Sequence, residues 1–376
     1  MSERYVGAWE QAGLFNPLVA PTGTLQYNLY AWGRNSSGQL GLGNTTFYSS
    51  PKQVGSLSGW KQLATGSSHT VAVKTDGTLW SWGKNANGQL GTGNLTYYSS
   101  PTQVGALTNW LSVAAGTYHT FAVKIDGTLW SWGDNYYGQL GLGNTTRYVS
   151  PKQIGALTTW LKISCGSYNC YSIKTDGTLW SWGVNANGQL GLGNQTYYSS
   201  PMQVGALTNW LTIASGSGGC ALAIKTNNTL WSWGYNAQGQ LGLGNSTKYS
   251  SPKQVGALTN WSKVATGNVF SFASKTDGTL WSWGNNTFGQ LGQGNTTNLS
   301  SPKQIGALTN WLNVSAGYYF SVATKTDGTL WTWGNGGNGK LGLGNNTNYS
   351  SPKQVGLLNT WGLISGFSLF VVALQS

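Results

Sequence analysis

The pair Trp-Gly recurs at Trp32, Trp82, Trp132, Trp182, Trp233, Trp283 and Trp333, at spacings of 50, 50, 50, 51, 50 and 50 residues. A fixed period of this length means a repeat architecture, in which each unit buries its core against its neighbours. No linker rich in Pro, Ser or charge separates any two units. The 376 residues therefore read as one domain of seven units rather than two ordinary domains.

Each unit contains four short strands. In the unit starting at Trp110, the first strand is Trp110 to Ala115, with small residues near its end. Small side chains suit the innermost position of a propeller, where seven blades crowd the axis. The second strand is Thr120 to Lys124, and the Asp126-Gly127 turn leads into a third from Thr128 to Trp132. A glycine-punctuated loop follows, then an extended stretch through Pro151 to Ile154. Proline belongs on an edge strand, so this stretch lies at the outer rim.

The two ends distinguish a ring from an open stack. The segment from Trp361 to Leu374 matches the first two strands of a unit and stops, while Leu29 to Trp32 matches a third strand. Each end supplies what the other lacks. Joined, they complete a seventh blade and leave no strand edge open. The expected fold is thus an all-β, seven-bladed β-propeller over residues 25–376, with one blade closed jointly by both termini. Residues 1–24 precede the repeat as an arm or cap. Both glutamates, Glu3 and Glu10, and the out-of-register Trp9 lie there. Residues 1–20 are a candidate attachment to a larger assembly.

The tryptophans follow the same scheme. Trp60, Trp80 and Trp82 form one set of three, five more sets follow, and Trp32 and Trp361 share the split blade. Each can bury roughly 150–250 Å². They suffice as core between blades, and no ligand is needed to explain them.

The run Gly-x-x-His-Thr-x-Ala-Val-Lys-x-Asp-Gly-x-Leu-Trp-x-Trp-Gly-x-Asn-x-x-Gly-Gln-Leu-Gly-x-Gly, standing at Gly116 to Gly143, resembles the repeat of the RCC1 (regulator of chromosome condensation) family. The resemblance covers all seven units. It implies a seven-bladed propeller whose termini close one blade, and it leaves function open. Members of that family act as exchange factors for a Ran-type GTPase, as chromatin binders and as inhibitor modules. The basic tail and inserted loops of the exchange-factor branch are not seen here. The family's repeat histidine survives as His69 and His119, with Asn169, Gly219, Phe270, Phe320 and Leu369 aligned in its place.

Charge and chemistry narrow the reading further. Only 7% of residues are charged, and the net charge is +12. Eleven of the 20 basic residues fall at two repeat positions, Lys74 and Lys52 and their counterparts. They form rings rather than the one-sided cluster a nucleic-acid site needs, so nucleic acid is not the expected partner. There is no apolar run near 20 residues, so no membrane insertion is expected. Five of the six aspartates sit in the same Asp-Gly turn, which turn geometry explains. Asp134, His69 and His119 are what remains for catalysis or metal binding, too few for either, and neither an enzyme nor a cofactor is expected. Cys165, Cys170 and Cys220 show no Cys-x-x-Cys spacing, and no disulfide framework is expected. Cys170 and Cys220 align with Thr70 and Thr120.

The framework is nearly constant between units, and three short windows vary. One follows the first strand, one follows Trp-Gly, and one flanks Gly-Asn. Binding residues usually sit in loops on a rigid scaffold. The candidate binding residues are His69, Tyr118, His119, Asp134, Tyr136, Tyr137, Tyr168, Tyr235, Phe288, Tyr318 and Tyr319. They would meet a protein or glycan through one loop face. Low charge, abundant Gly, Asn, Thr and Tyr and the non-repeat arm favour a virion component, such as a bacteriophage tail or capsid accessory protein, or a cell-surface recognition protein. A virion or extracellular location goes with that reading. The alternative is a regulator of a protein partner, of the exchange-factor or inhibitor type.

Overall fold

A computed structural model describes residues 27–376. The arm at residues 1–24 lies outside the described residues. Among the described residues, twenty-eight strands form seven four-stranded antiparallel sheets. A representative blade runs Trp110–Ala115, His119–Lys124, Leu129–Gly133 and Tyr148–Gln153, each strand pairing with the next. In the closing blade, Asn28–Gly33 pairs residue for residue with Phe370–Gln375, which pairs in turn with Trp361–Ser365. Tyr48–Gln53 completes that blade on its outer side. The expected propeller and its shared blade are both present.

The first strands of successive blades touch one another around the axis. The second strand is buried along its length, as in His119–Lys124, because blades cover both its faces. Seven apolar clusters lie between blades rather than within them. Val71, Val73 and Leu79 of one blade pack with Trp110, Ala122 and Trp132 of the next. Trp110 meets Trp130 and Trp132 edge to face at 6.0 and 6.3 Å, a geometry that aromatic quadrupoles favour.

The glycine-punctuated loop fastens each blade to the next. The carbonyl of Gln89 accepts hydrogen bonds from Trp132 Nε1 at 3.0 Å and Thr120 Oγ1 at 2.7 Å, both one blade on. At the joint of the ring, Trp32 Nε1 donates to the carbonyl of Lys340 at 3.1 Å. Gly138 shows why this loop needs glycine. Its φ is +74°, and a Cβ there would sit 2.6 Å from Ser199 Cβ of the following blade.

Two sequence alignments change register. Cys220 lies opposite Gly234 as His69 lies opposite Gly83, so Cys220, not Gly219, holds the histidine position. Phe370, opposite Gly33, holds it in the closing blade in place of Leu369. The extra residue of the 51-residue unit sits in the turn before Cys220, where alignment by composition cannot locate it. Cys220 therefore does not share the position of Thr70, whereas Cys170 does.

Candidate functional surface

Strand direction sorts the loops. The turn after the first strand and the long loop after the third open on one end of every blade. The Asp-Gly turn and the link to the next blade open on the other. All three variable windows thus share one face, and the constant turns occupy the opposite one. There, Asp126 Oδ1 accepts from the Thr128 amide and hydroxyl at 2.9 and 2.6 Å. Those bonds from Thr128 hold its carboxyl below the usual range. The turn accounts for this carboxylate without a catalytic role.

On the variable face, aromatic residues from two adjacent blades converge. Tyr137 meets Tyr136 at 4.8 Å, Tyr168 at 5.5 Å and Tyr197 at 6.0 Å, and Tyr118 meets Tyr168 at 6.4 Å. Lys84 Nζ lies 5.2 Å from the Tyr118 ring. Tyr136 is 74% exposed at the crest of this ledge. Asp134 lies beneath it and accepts from Gln139 Nε2 at 2.8 Å. The Tyr168 hydroxyl is raised by burial and by Tyr118, Asp134 and Tyr137, so it stays a neutral donor.

Beside the ledge is a hollow of about 310 Å³. Tyr168 forms one wall and Tyr235 another, with Asn187, Gln189 and Asn268 between them. The hollow exists because the neighbouring turn carries Gly218 and Gly219 where other blades have side chains. A Cβ on Gly219 would point at Gln189 and Tyr235 of the hollow, 3.7 and 3.9 Å away, while Gly218 lets the turn pack against the Asn268 backbone. Tyr118, Asp134, Tyr136, Tyr137, Tyr168 and Tyr235 therefore make one continuous surface. Phe288, Tyr318 and Tyr319 form a separate group, with Phe288–Tyr319 at 5.3 Å and Tyr318–Tyr319 at 4.7 Å. Tyr319 holds a left-handed φ of 64°, a conformation that bulky residues rarely adopt. Tyr197, Lys84 and the paired glycines were missing from the candidate set. Tyr197 and Lys84 sit in variable windows, and only their proximity to the tyrosines singles them out.

His69 and His119 are corrected as binding candidates, since both are fully buried. His69 Nε2 lies 3.0 Å from Thr120 Oγ1 of the next blade. Burial lowers both imidazoles to about 3, and at His119 the nearby His69 adds to the effect. They are neutral packing groups between blades. The ring formed by Lys74 and its counterparts is corrected too, whereas Lys52, Lys152 and Lys253 of the other ring are exposed. Lys124 Nζ lies 4.9 and 3.9 Å from the Trp110 and Trp130 rings, and Lys174, Lys225, Lys275 and Lys325 repeat the arrangement. These lysines are buried cation–π partners of the framework rather than a charged rim. Finally, Cys165 and Cys170, directly opposite across two strands, form a disulfide that sequence spacing did not predict. Among the described residues no helix is long and apolar enough to cross a membrane.

A ring of seven four-stranded blades, closed by a blade shared between the two ends of the repeat, defines a seven-bladed β-propeller. Family comparison narrows the class. The RCC1-like domain model matches residues 22–264, and the RCC1 repeat matches residues 277–324 and 327–365. The chain belongs to the RCC1 family. A 58-residue stretch is 41% identical to the ultraviolet-B receptor UVR8 of Arabidopsis thaliana, spanning 15% of this chain and 13% of that protein. Prp20p of Saccharomyces cerevisiae superposes with a TM-score of 0.85 at 21% identity, over 98% of this chain and 94% of Prp20p. Human WBSCR16 gives 0.84 at 21% identity, over 93% and 99% of the two chains. At this identity the two structures speak to the fold alone. A virion, tail or host-recognition role finds no support among these relatives, and neither does a glycan ligand.

Proposed function

We infer that this propeller is a non-enzymatic module that binds a protein partner through its variable face and thereby regulates it. The observation that carries the reading is the tyrosine ledge of Tyr118, Tyr136, Tyr137, Tyr168 and Tyr197, beside Lys84 and next to the Tyr235 hollow. Tyr is enriched where interfaces concentrate their energy, because one ring supplies both apolar area and a polar tip. The structure of Prp20p is described together with its binding to Gsp1p and histones, which makes a protein partner the natural expectation for a propeller of this kind.

The test is site-directed photo-crosslinking in cells of the source. Benzoylphenylalanine replaces either Tyr136 or Leu357, the latter 95% exposed on the constant face. Position 136 should capture a discrete protein that position 357 does not. Against that purified protein, the Tyr136→Ala/Tyr137→Ala variant should lose about tenfold or more in affinity. Equal capture from both positions, or unchanged affinity, would remove the reading.

A further inference from the structure

We propose that, once the Cys165–Cys170 disulfide is reduced, His119, Cys165 and Cys170 form a buried site for one copper(I) ion. The metal-ligating atoms of these three side chains lie within 4.8 Å of one another, and all three residues are buried. Two come from the inner strands of one blade, where Cys165 and Cys170 are direct cross-strand partners. The third reaches across from the blade before, with His119 Nε2 3.2 Å from Cys170 Sγ.

The arrangement is particular to this joint. One blade earlier, the same histidine position faces a hydroxyl, His69 to Thr120. At His119 the imidazole faces sulfur instead, while its Nδ1, like that of His69, is buried with no hydrogen-bond partner. A disulfide sulfur offers that ring no proton. The neutral imidazole is thus held dry with Nε2 against the Cys170 sulfur and the Cys165 sulfur within 4.8 Å, the donor set of a soft metal. Thiolate and imidazole select copper(I) and zinc. Zinc takes four ligands in closed sites, and the described cluster supplies three. Three-coordinate copper(I) is the better match.

The chemistry balances with a dithiol as reductant. A dithiol thiolate attacks one cysteine sulfur, the Cys165–Cys170 bond breaks, and the dithiol closes to its own disulfide. Two electrons enter the protein, and the two cysteines take up two protons as thiols. Copper(I) then replaces both thiol protons, and neutral His119 completes the set. Cys220 is not part of the site. Burial pushes its thiol up to about 12, which leaves it inert.

The experiment uses the full chain, reduced with dithiothreitol, freed of it under nitrogen and titrated against the copper(I)–bicinchoninate complex. Free-thiol counting by mass spectrometry should show one thiol before reduction and three after. The reduced protein should withdraw one copper(I) per chain and the oxidised protein none. The variants install residues that other blades already carry at these positions, so folding is preserved: Cys165→Ala as in Ala115, Cys170→Thr as in Thr120, His119→Phe as in Phe270. The cysteine variants should withdraw no copper, and His119→Phe should hold it about tenfold or more weakly, at least the loss seen for outer-shell partners. Cys220→Ala should behave as the parent. A disulfide that stays closed in the folded protein, no copper uptake after reduction, equal uptake by Cys170→Thr, or zinc bound as tightly as copper(I) would each overturn the assignment.

Discussion

Replacing His69 by phenylalanine should make the protein less sensitive to acid, by an amount the structure fixes. Phe270, Phe320 and Phe370 hold the same buried position in other blades, so the ring accommodates the side chain. His69 titrates near 6.5 when unfolded and is lowered to about 3 by burial when folded. Its folded value is depressed, so the unfolded chain binds the proton first and stability falls as pH drops from 6.5 toward 3. Applying linkage to those two values, the histidine costs about 2 kcal/mol between pH 7 and pH 5. The aspartates of the Asp-Gly turns are held below the usual carboxylate range and contribute little to this window, and His119 is present in both proteins and cancels. Urea unfolding followed by tryptophan fluorescence at the two pH values measures the difference. The parent should lose about 2 kcal/mol more than His69→Phe over that interval. Equal losses would refute the claim that His69 is buried and neutral.

Two further outcomes follow from packing. Gly138→Ala should destabilise by about 2–5 kcal/mol, the left-handed backbone and the clash with Ser199 acting together. Gly143→Ala has a similar φ but a Cβ no closer than 3.4 Å to Ser200 Oγ. Its cost should stay near the backbone share alone, about 1–2 kcal/mol, and thermal melts compare the pair. The lysines separate in the same manner. Glutamine at the exposed Lys52, Lys152 and Lys253 should lower the salt needed to elute the protein from heparin. Glutamine at the tryptophan-stacked Lys124, Lys174 and Lys225 should leave elution nearly unchanged while costing roughly 0.5–2 kcal/mol of stability each.

The fold was legible because its signals are local and repeated seven times. The Trp-Gly period, the Asp-Gly turns and the complementary ends all report on neighbours along the chain. The single variable face was also accessible in outline, since antiparallel strands place alternate connections on opposite ends. What stayed hidden depends on register between strands and between blades. Cys165 and Cys170 are five residues apart, and only the pairing of their strands brings the sulfurs together. His119 looked like a loop residue because the second strand was expected to begin at Thr120, one residue too late. The ring of Lys124 and its counterparts looked like surface charge because spacing shows that a position repeats, but not that two indoles enclose it.

The shared blade also dictates an order of events during synthesis. Asn28–Gly33 can pair with Tyr48–Gln53 early, but its other edge is satisfied by Phe370–Gln375, the last strand of the ring in sequence order. Six blades can assemble on the ribosome, each docking on its predecessor, while that first edge and Trp32 wait uncovered until Phe370–Gln375 has been made. An unpaired strand edge is a template for pairing with other molecules. The nascent ring is therefore most exposed to misassembly just before Phe370–Gln375 emerges. Closure then depends on the slowest kind of contact, between the most distant parts of the sequence. Once shut, the circle has no free end from which blades can peel away, and the same clasp that delays completion retards undoing.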